Sequence, residues 1–246
     1  PGGGEDGPLL KELESRAEIQ SICCITAQHR QMLDDVLQLF AIQPDYDLDI
    51  MELARACTPS PASAFWEWRS LSREKPDLVL VHGDTSTTFS GALAAFYQKI
   101  AVGHVEAGLR TWDKYSPFPE EMNRTLVGDL AEFHFCPTQA NRENLLREGL
   151  REGIFVTGNT VIDALKTTVR PDYRFRSQLL NTLDYTRKQV ILVTCHRREN
   201  YGQSHDQYHA GPPPDRGGFP PSGACLSGAS VPGGAGGGPG PPVRHD

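Results

Sequence analysis

The sequence lacks the features that define several protein classes. It has no apolar run near the roughly 18 residues of a membrane-spanning helix. Its N-terminus has no basic start followed by an apolar stretch, which a secretory signal would show. A net charge of −7 argues against the basic face of a general nucleic-acid binder. We therefore expect a cytoplasmic protein whose partners include neither nucleic acid nor membrane.

The six cysteines form no C-x-x-C pair, and several of them lie in apolar, strand-like runs. This distribution favours reduced, mostly buried thiols over a disulfide framework or a zinc site. We therefore expect no metal site in this chain.

Glycine and proline are concentrated at the two ends of the chain. Residues 203–246 hold 11 of the 24 glycines and 9 of the 19 prolines, and residues 1–8 hold another 4 and 2. The middle has a normal globular composition and is long enough for one domain and the start of another. With so few apolar residues, the 203–246 tail cannot offset its ordering entropy, so we expect it to be disordered.

Short apolar runs alternate with amphipathic stretches through the middle of the chain. Strands are predicted at residues 19–25, 78–81, 102–105, 133–135, 154–156 and 190–193, and helices around residues 33–40, 89–96, 145–146 and 161–165. This alternation predicts an α/β fold in which helices cover both faces of a parallel sheet. We assign residues 9–170 to one domain and residues 188–202 to the start of a second.

Ligands of such sheets bind at the carboxyl ends of the strands, and ionisable residues follow three of the predicted strands here. Asp84 follows the strand at 78–81, where the alternative is that it caps the next helix. Glu106 stands at the end of the strand at 102–105, where an unpaired carboxylate is costly. His196, followed by two arginines, suits a diphosphate, although a solvated basic loop is the alternative.

Two further acids, Glu120 and Glu121, follow Pro119. Acidic residues are favourable in the first turn of a helix, so this position has a purely structural explanation. A second structural alternative pairs Arg110 and Arg124 with these acids.

Taken together, these segments form a set of motifs that is more specific than any one of them. The motifs are V-H-G-D-T-S-T-T at 81–88, G-H-V-E-A-G-L-R-T at 103–111, S-P-F-P-E-E-M-N-R at 116–124, G-N-T-V-I-D-A-L at 158–165, H-R-R-E-N at 196–200 and T-A-Q-H-R-Q-M-L at 26–33. In order and spacing they closely resemble the bacterial, non-hydrolysing UDP-N-acetylglucosamine 2-epimerases. The resemblance covers most of residues 9–51 and 74–202. It implies that residues 9–170 are the Rossmann-like N-terminal domain of a two-domain, GT-B-like architecture with the active site in the interdomain cleft.

The resemblance implies interconversion of UDP-GlcNAc and UDP-ManNAc by anti elimination of UDP to 2-acetamidoglucal and re-addition. The matched positions imply that the acid/base and electrostatic carboxylates are Asp84, Glu106 and Glu120. They also imply that His196 contacts the diphosphate or leaving group and that the substrate-binding residues are Arg124, Arg197 and Arg198. A second, activating UDP-GlcNAc is implied to contact Gln28 and Gln31. The family also implies a homodimer, and it implies neither a metal nor a redox cofactor.

Three segments depart from the family pattern, namely residues 1–8, 52–72 and the tail. Family members begin with a strand and a loop whose Arg and Lys approach the diphosphate, and residues 1–8 contain neither. With suitable codons, a shift of one nucleotide in each segment yields the family motif expected there. Our hypothesis is that these segments are out-of-frame translations. On this hypothesis the chain lacks its first strand and most of the second domain, so we expect no measurable epimerase activity from it alone.

Three other functions stay open at this point. One is a non-catalytic nucleotide-sugar-binding fragment, and another is a hydrolysing relative that releases ManNAc and UDP. A glycosyltransferase of similar architecture is the third, although the acidic motifs are not expected there.

Overall fold

The computed structural model describes residues 3–26, 30–48, 73–186, 190–194 and 223–227. The chain divides into two compact units, Pro1–Pro171 and Asp172–Asp246. The first contains α1 (Gly3–Glu14), β1 (Cys24–Ile25), α2 (Arg30–Phe40), β2 (Tyr46–Asp47), β3 (Leu78–His82), α3 (Ser86–Tyr97), β4 (Ala101–Val105), α4 (Glu120–Leu130), β5 (Phe133–Cys136), α5 (Gln139–Glu148), β6 (Ile154–Val156) and α6 (Thr160–Thr168). The second contains α7 (Gln178–Thr182), β7 (Val190–Thr194) and β8 (Gly223–Ser227). None of the helices in these ranges is long and apolar enough to span a bilayer.

The main sheet has four parallel strands in the order β3-β4-β5-β6. Each of these strands is followed by a helix in the chain, as a parallel sheet requires. The strands form because their apolar runs are buried in the core, with Val102 fully buried and Val81 and Val105 nearly so. The prediction of an α/β fold with a parallel sheet is confirmed. All four carboxyl ends consequently lie at one edge.

The buried residues of helix α3 are all small. Its buried positions include Ala92, Ala94 and Ala95, whereas Phe96 is 53% exposed. Small side chains let the helix approach β3, β4 and α4 closely, and the helix predicted around residues 89–96 is confirmed.

The predicted strand at 19–25 is confined to β1. Within the described residues β1 pairs with β2 alone, in a two-residue parallel ladder from Cys24 opposite Tyr46 to Ile25 opposite Asp47. Residues 19–23 of the predicted strand precede this ladder, and the Cys23 N–H donates to the Asp45 carboxylate at 2.8 Å.

Two of the divergent segments contain regular structure. Helix α1 begins at Gly3 and packs on α2 and α6, with Gly7 so close to the Phe40 ring that a Cβ would stand 2.5 Å from it. In the tail, β8 pairs in parallel with β7, so the prediction of disorder is wrong for Gly223–Ser227, whose backbone groups gain ladder partners. Residues 52–72 and the remainder of the tail lie outside the described residues.

Candidate active site

The ends of β3 and β4 bring two of the predicted acids to the same edge of the sheet. His82 and Val105 are opposite each other in the parallel ladder, and the Gly83 N–H donates to the Val105 carbonyl at 3.0 Å. Gly83 turns the chain with φ of 71°, and a Cβ there would stand 3.6 Å from the Glu106 carboxylate. Asp84 and Glu106 therefore leave adjacent strand ends within one small region.

Glu106 has an unusual backbone conformation, with φ of 65°. A non-glycine residue in this left-handed region costs about 1–2 kcal/mol. Its carboxylate accepts from Asn159 Nδ2 at 3.4 Å and lies 3.7 Å from His82 Nε2. Strain of this kind, held in place by side-chain contacts, is concentrated at functional sites.

His82 lies between two carboxylates. Its Nδ1 is hydrogen-bonded to Asp6 of α1, its Nε2 faces Glu106, and its side chain is 8% exposed. The sequence places His82 directly after an apolar strand, but nothing in the sequence indicates a partner 76 positions away in a segment without family motifs. His82 thus lies in a predicted motif but was assigned no role, and Asp6 is a residue of this region that the sequence did not indicate.

Asp84 faces α4 rather than capping α3. Arg124 donates to Asp84 Oδ2 from Nε at 2.9 Å and from Nη2 at 2.5 Å, and Asn123 Nδ2 donates to the Asp84 carbonyl at 2.8 Å. The cap of α3 is Thr85, whose Oγ1 accepts from the Thr88 N–H at 3.3 Å. The alternative in which Asp84 caps this helix is therefore wrong.

The two acids that open α4 have different environments. Glu121 is buried, accepts from the N–H groups of Thr111 and Trp112 at 2.9 Å each, and pairs with Arg124 Nη1 at 3.1 Å. Glu120 is half-buried and has no hydrogen bond or ion pair within the described ranges. The first turn of α4 thus contains one anchored carboxylate and one that is available for other contacts.

The arginine alternatives are resolved by the same contacts. Arg124 pairs with Asp84 and Glu121, as the structural alternative predicts. Arg110 instead forms two bonds of 2.7 Å to Glu148 in α5, so its pairing with Glu120 or Glu121 is wrong.

A buried histidine, His104, contacts the turn at Gly83. His104 is 1% exposed, and its Nε2 lies 2.8 Å from the Gly83 carbonyl. Burial lowers the pKa of His104 to about 3, despite the opposing effect of this hydrogen bond. The ring is therefore neutral near pH 7 and donates its Nε2 proton to that carbonyl.

Most of the remaining predicted site residues are not among the described residues. Gln28, His196, Arg197 and Arg198 lie outside the described residues, and Gln31 belongs to α2. Within the described residues there is no group of three His, Cys, Asp or Glu side chains that could hold a metal ion.

Comparison with known proteins identifies relatives along most of the chain. Residues 11–210 match the model of the UDP-N-acetylglucosamine 2-epimerase family. A Bacillus subtilis UDP-N-acetylglucosamine 2-epimerase is 53% identical over 199 residues, which are 80% of this chain and 51% of the relative. The chain therefore spans about half the length of the curated relatives it matches.

Solved structures give the same picture. S. aureus MnaA in its UDP co-structure is 50% identical with a TM-score of 0.73, covering 81% of this chain and 52% of that one. The Neisseria meningitidis UDP-GlcNAc 2-epimerase bound to UDP-GlcNAc is 46% identical with a TM-score of 0.70, and the match covers 80% of this chain and 55% of that one. With its parallel α/β sheet and its family match over most of its length, the chain belongs to the UDP-N-acetylglucosamine 2-epimerase family.

Proposed function

We propose that this chain supplies the carboxylate-bearing half of an active site that interconverts UDP-GlcNAc and UDP-ManNAc. The observation that carries the proposal is the strained Glu106 beside Asp84 at the carboxyl edge of the sheet. Similarity to one relative bound to UDP-GlcNAc and another bound to UDP supports the substrate class.

The proposed reaction goes through elimination because the C2 hydrogen of the sugar is not next to a carbonyl, and it needs more than one acidic group because C2 loses a proton on one face and regains one on the other. The C1–O bond breaks with its electrons leaving on UDP, the C2–H electrons form the C1=C2 bond, and a carboxylate takes the proton. UDP then adds back to 2-acetamidoglucal while C2 receives a proton on its opposite face. Positioned carboxylates serve both proton transfers and stabilise cationic character at C1.

The contacts suggest a division of roles among the acids. Two N–H groups of Arg124 occupy Asp84 Oδ2, so Asp84 suits electrostatic stabilisation at C1. Glu106 accepts from Asn159 Nδ2 at 3.4 Å and lies 3.7 Å from His82 Nε2, so its carboxylate is oriented at the strand end and suits one of the proton transfers. Glu120 has no partner within the described part of the chain, so its carboxylate can accept or return the second proton.

The other family-derived roles stay predictions and complete the proposal. His196, with Arg197 or Arg198, would stabilise departing UDP, and Gln28 and Gln31 would contact a second, activating UDP-GlcNAc. Arg124 as a substrate ligand, a homodimer and a cytoplasmic location are likewise predictions. Surface polysaccharide is the usual destination of the product in this family.

The product of the reaction tests this proposal. We would replace residues 1–8, residues 52–72 and everything after residue 186 with the matching segments of the Bacillus subtilis relative, because the family has its first strand, its diphosphate-facing loop and most of its uridine and diphosphate contacts there. We expect this chimera to convert UDP-GlcNAc to UDP-ManNAc, and the 246-residue chain alone to convert none.

Each alternative has its own result. Release of free ManNAc and UDP would favour the hydrolysing relative. Binding of UDP-GlcNAc in calorimetry without any conversion would favour the non-catalytic fragment, and either result would overturn the proposal. Transfer of GlcNAc to an added acceptor would indicate a glycosyltransferase.

A further inference from the structure

We infer that Glu121 is a positioning residue of this site. It orients the Arg124 guanidinium toward Asp84 and, through hydrogen bonds, holds the loop that leads to Glu120. The inference rests on the proposed function, because it takes Asp84 and Glu120 as the groups that act on substrate. The contacts of Glu121 with Arg124, Thr111 and Trp112 involve no substrate atoms.

The burial of Glu121 requires full satisfaction of its carboxylate. Its side chain is 4% exposed, and a buried charge is costly unless it is paired and hydrogen-bonded. Oε1 accepts from the N–H groups of Thr111 and Trp112, and Oε2 accepts from Arg124 Nη1. The two oxygens therefore serve different structures, one the loop and the other the guanidinium.

The Oε2 contact fixes the orientation of Arg124. A guanidinium is planar and its donors have a fixed geometry, so one anchored nitrogen sets the direction of the others. With Nη1 on Glu121, Nε and Nη2 both point at Asp84 Oδ2. Arg124 thus has a carboxylate partner on all three nitrogens and transmits the position of Glu121 to Asp84.

The Oε1 contacts fix the loop between β4 and α4. Trp112 has φ of 67°, a left-handed conformation that needs support from its surroundings. The Thr111 hydroxyl donates to the carbonyl of Ser116, and the Tyr115 N–H donates to Asp113 Oδ1 at 3.0 Å. Glu121 therefore joins the start of a folded loop to the helix at its end, and Glu120 is the residue at that junction.

The chain offers a matched control for this role. Glu120 precedes Glu121 in the same helical turn, has the same charge, and contacts neither Arg124 nor the loop through any described hydrogen bond. Glu120→Gln removes one charge from this turn while leaving the anchoring contacts of Glu121 in place.

The test is NMR of the full 246-residue chain, following the Arg124 Nε–H signal and hydrogen exchange of the Thr111 and Trp112 amides. In Glu121→Gln the carbonyl oxygen still accepts from both amides, but the NH₂ group faces Arg124. We expect exchange at Arg124 Nε–H to accelerate about tenfold or more, the effect of losing a charge-assisted hydrogen bond, with both amides still protected. Glu121→Ala should accelerate hydrogen exchange at Arg124 Nε–H and at the Thr111 and Trp112 amides.

Two results would overturn the inference. One is an exchange rate at Arg124 Nε–H that Glu121→Gln leaves unchanged. The other is an acceleration of this exchange in Glu120→Gln that equals the acceleration in Glu121→Gln. Because Gln is isosteric with Glu, the Glu121→Gln result decides the matter even if Glu121→Ala does not fold.

The proposed function fails by a separate result. In the chimera, Glu121→Gln should lower kcat with little change in KM, because Glu121 acts through Asp84 and does not contact substrate. A wild-type chimera that binds UDP without epimerising UDP-GlcNAc would refute the function, while the Arg124 signal would still decide the role of Glu121.

Discussion

The buried pair of Arg110 and Glu148 makes an asymmetric prediction about stability. The Arg110 side chain is 1% exposed and donates two bonds of 2.7 Å to Glu148, whose side chain is 21% exposed. Glu148→Ala leaves a buried guanidinium without its counter-charge, whereas Arg110→Met leaves a carboxylate that water can reach. We therefore expect Glu148→Ala to cost about 3–5 kcal/mol of unfolding free energy and Arg110→Met at least about 1 kcal/mol less.

Urea unfolding followed by circular dichroism measures this difference, with the slope of the transition checked for constancy. In a domain of this size the Glu148→Ala change corresponds to about 6–20 °C in Tm. Asp163→Ala is the control, since its 3.0 Å pair with Lys166 is exposed on α6 and should cost less than about 1 kcal/mol. Equal costs for Arg110→Met and Glu148→Ala would refute the reasoning.

Three further predictions follow from single positions. Gly153→Ala should destabilise the chain by more than about 2 kcal/mol in urea unfolding, because its Cβ would stand 2.0 Å from the Glu132 carbonyl oxygen. Gly149→Ala is the control and should cost about 1 kcal/mol, because no atom lies within 4 Å of its Cβ position. Glu106→Gly should be more stable than Glu106→Ala by about 1 kcal/mol, because only alanine retains the left-handed strain; the reverse order in thermal unfolding would argue against that strain. The folded state keeps His104 neutral down to about pH 3, whereas the unfolded chain takes up the proton near pH 6.5. The free energy of unfolding should therefore fall by up to about 1.4 kcal/mol per pH unit as the pH drops from about 6.5 towards 3. His104→Asn should flatten this slope between about pH 7 and 5.

The parts of the fold that depend on local pattern could be predicted from the sequence. The apolar runs located β3 to β6 to within a residue or two, because a strand buried on both faces must be apolar along its length. The rule that strand ends share one edge placed Asp84 beside Glu106. The same pattern located α3 but did not show that its alanines rather than Phe96 would be buried, because close packing against the sheet favours small side chains.

Contacts between distant segments could not be predicted in the same way. Glu148 resembles any charged residue near the end of a surface helix, and only the fold brings it to Arg110, 38 positions away. The contact of Asp6 with His82 joins residues 76 positions apart. The choice of Thr85 over Asp84 as a cap depends on where α4 presents Arg124, which no local signal reveals.

Incorporation of solvent deuterium at C2 tests the central claim most directly, namely that the acids at this edge exchange the C2 proton. The chimera and its Glu106→Gln variant are incubated with UDP-GlcNAc in D₂O, and both epimers are analysed by NMR. We expect deuterium at C2 in both epimers with the wild-type site, and exchange slowed about 100-fold or more in the folded variant. Epimerisation without deuterium at C2, or exchange at an unchanged rate in Glu106→Gln, would contradict the account.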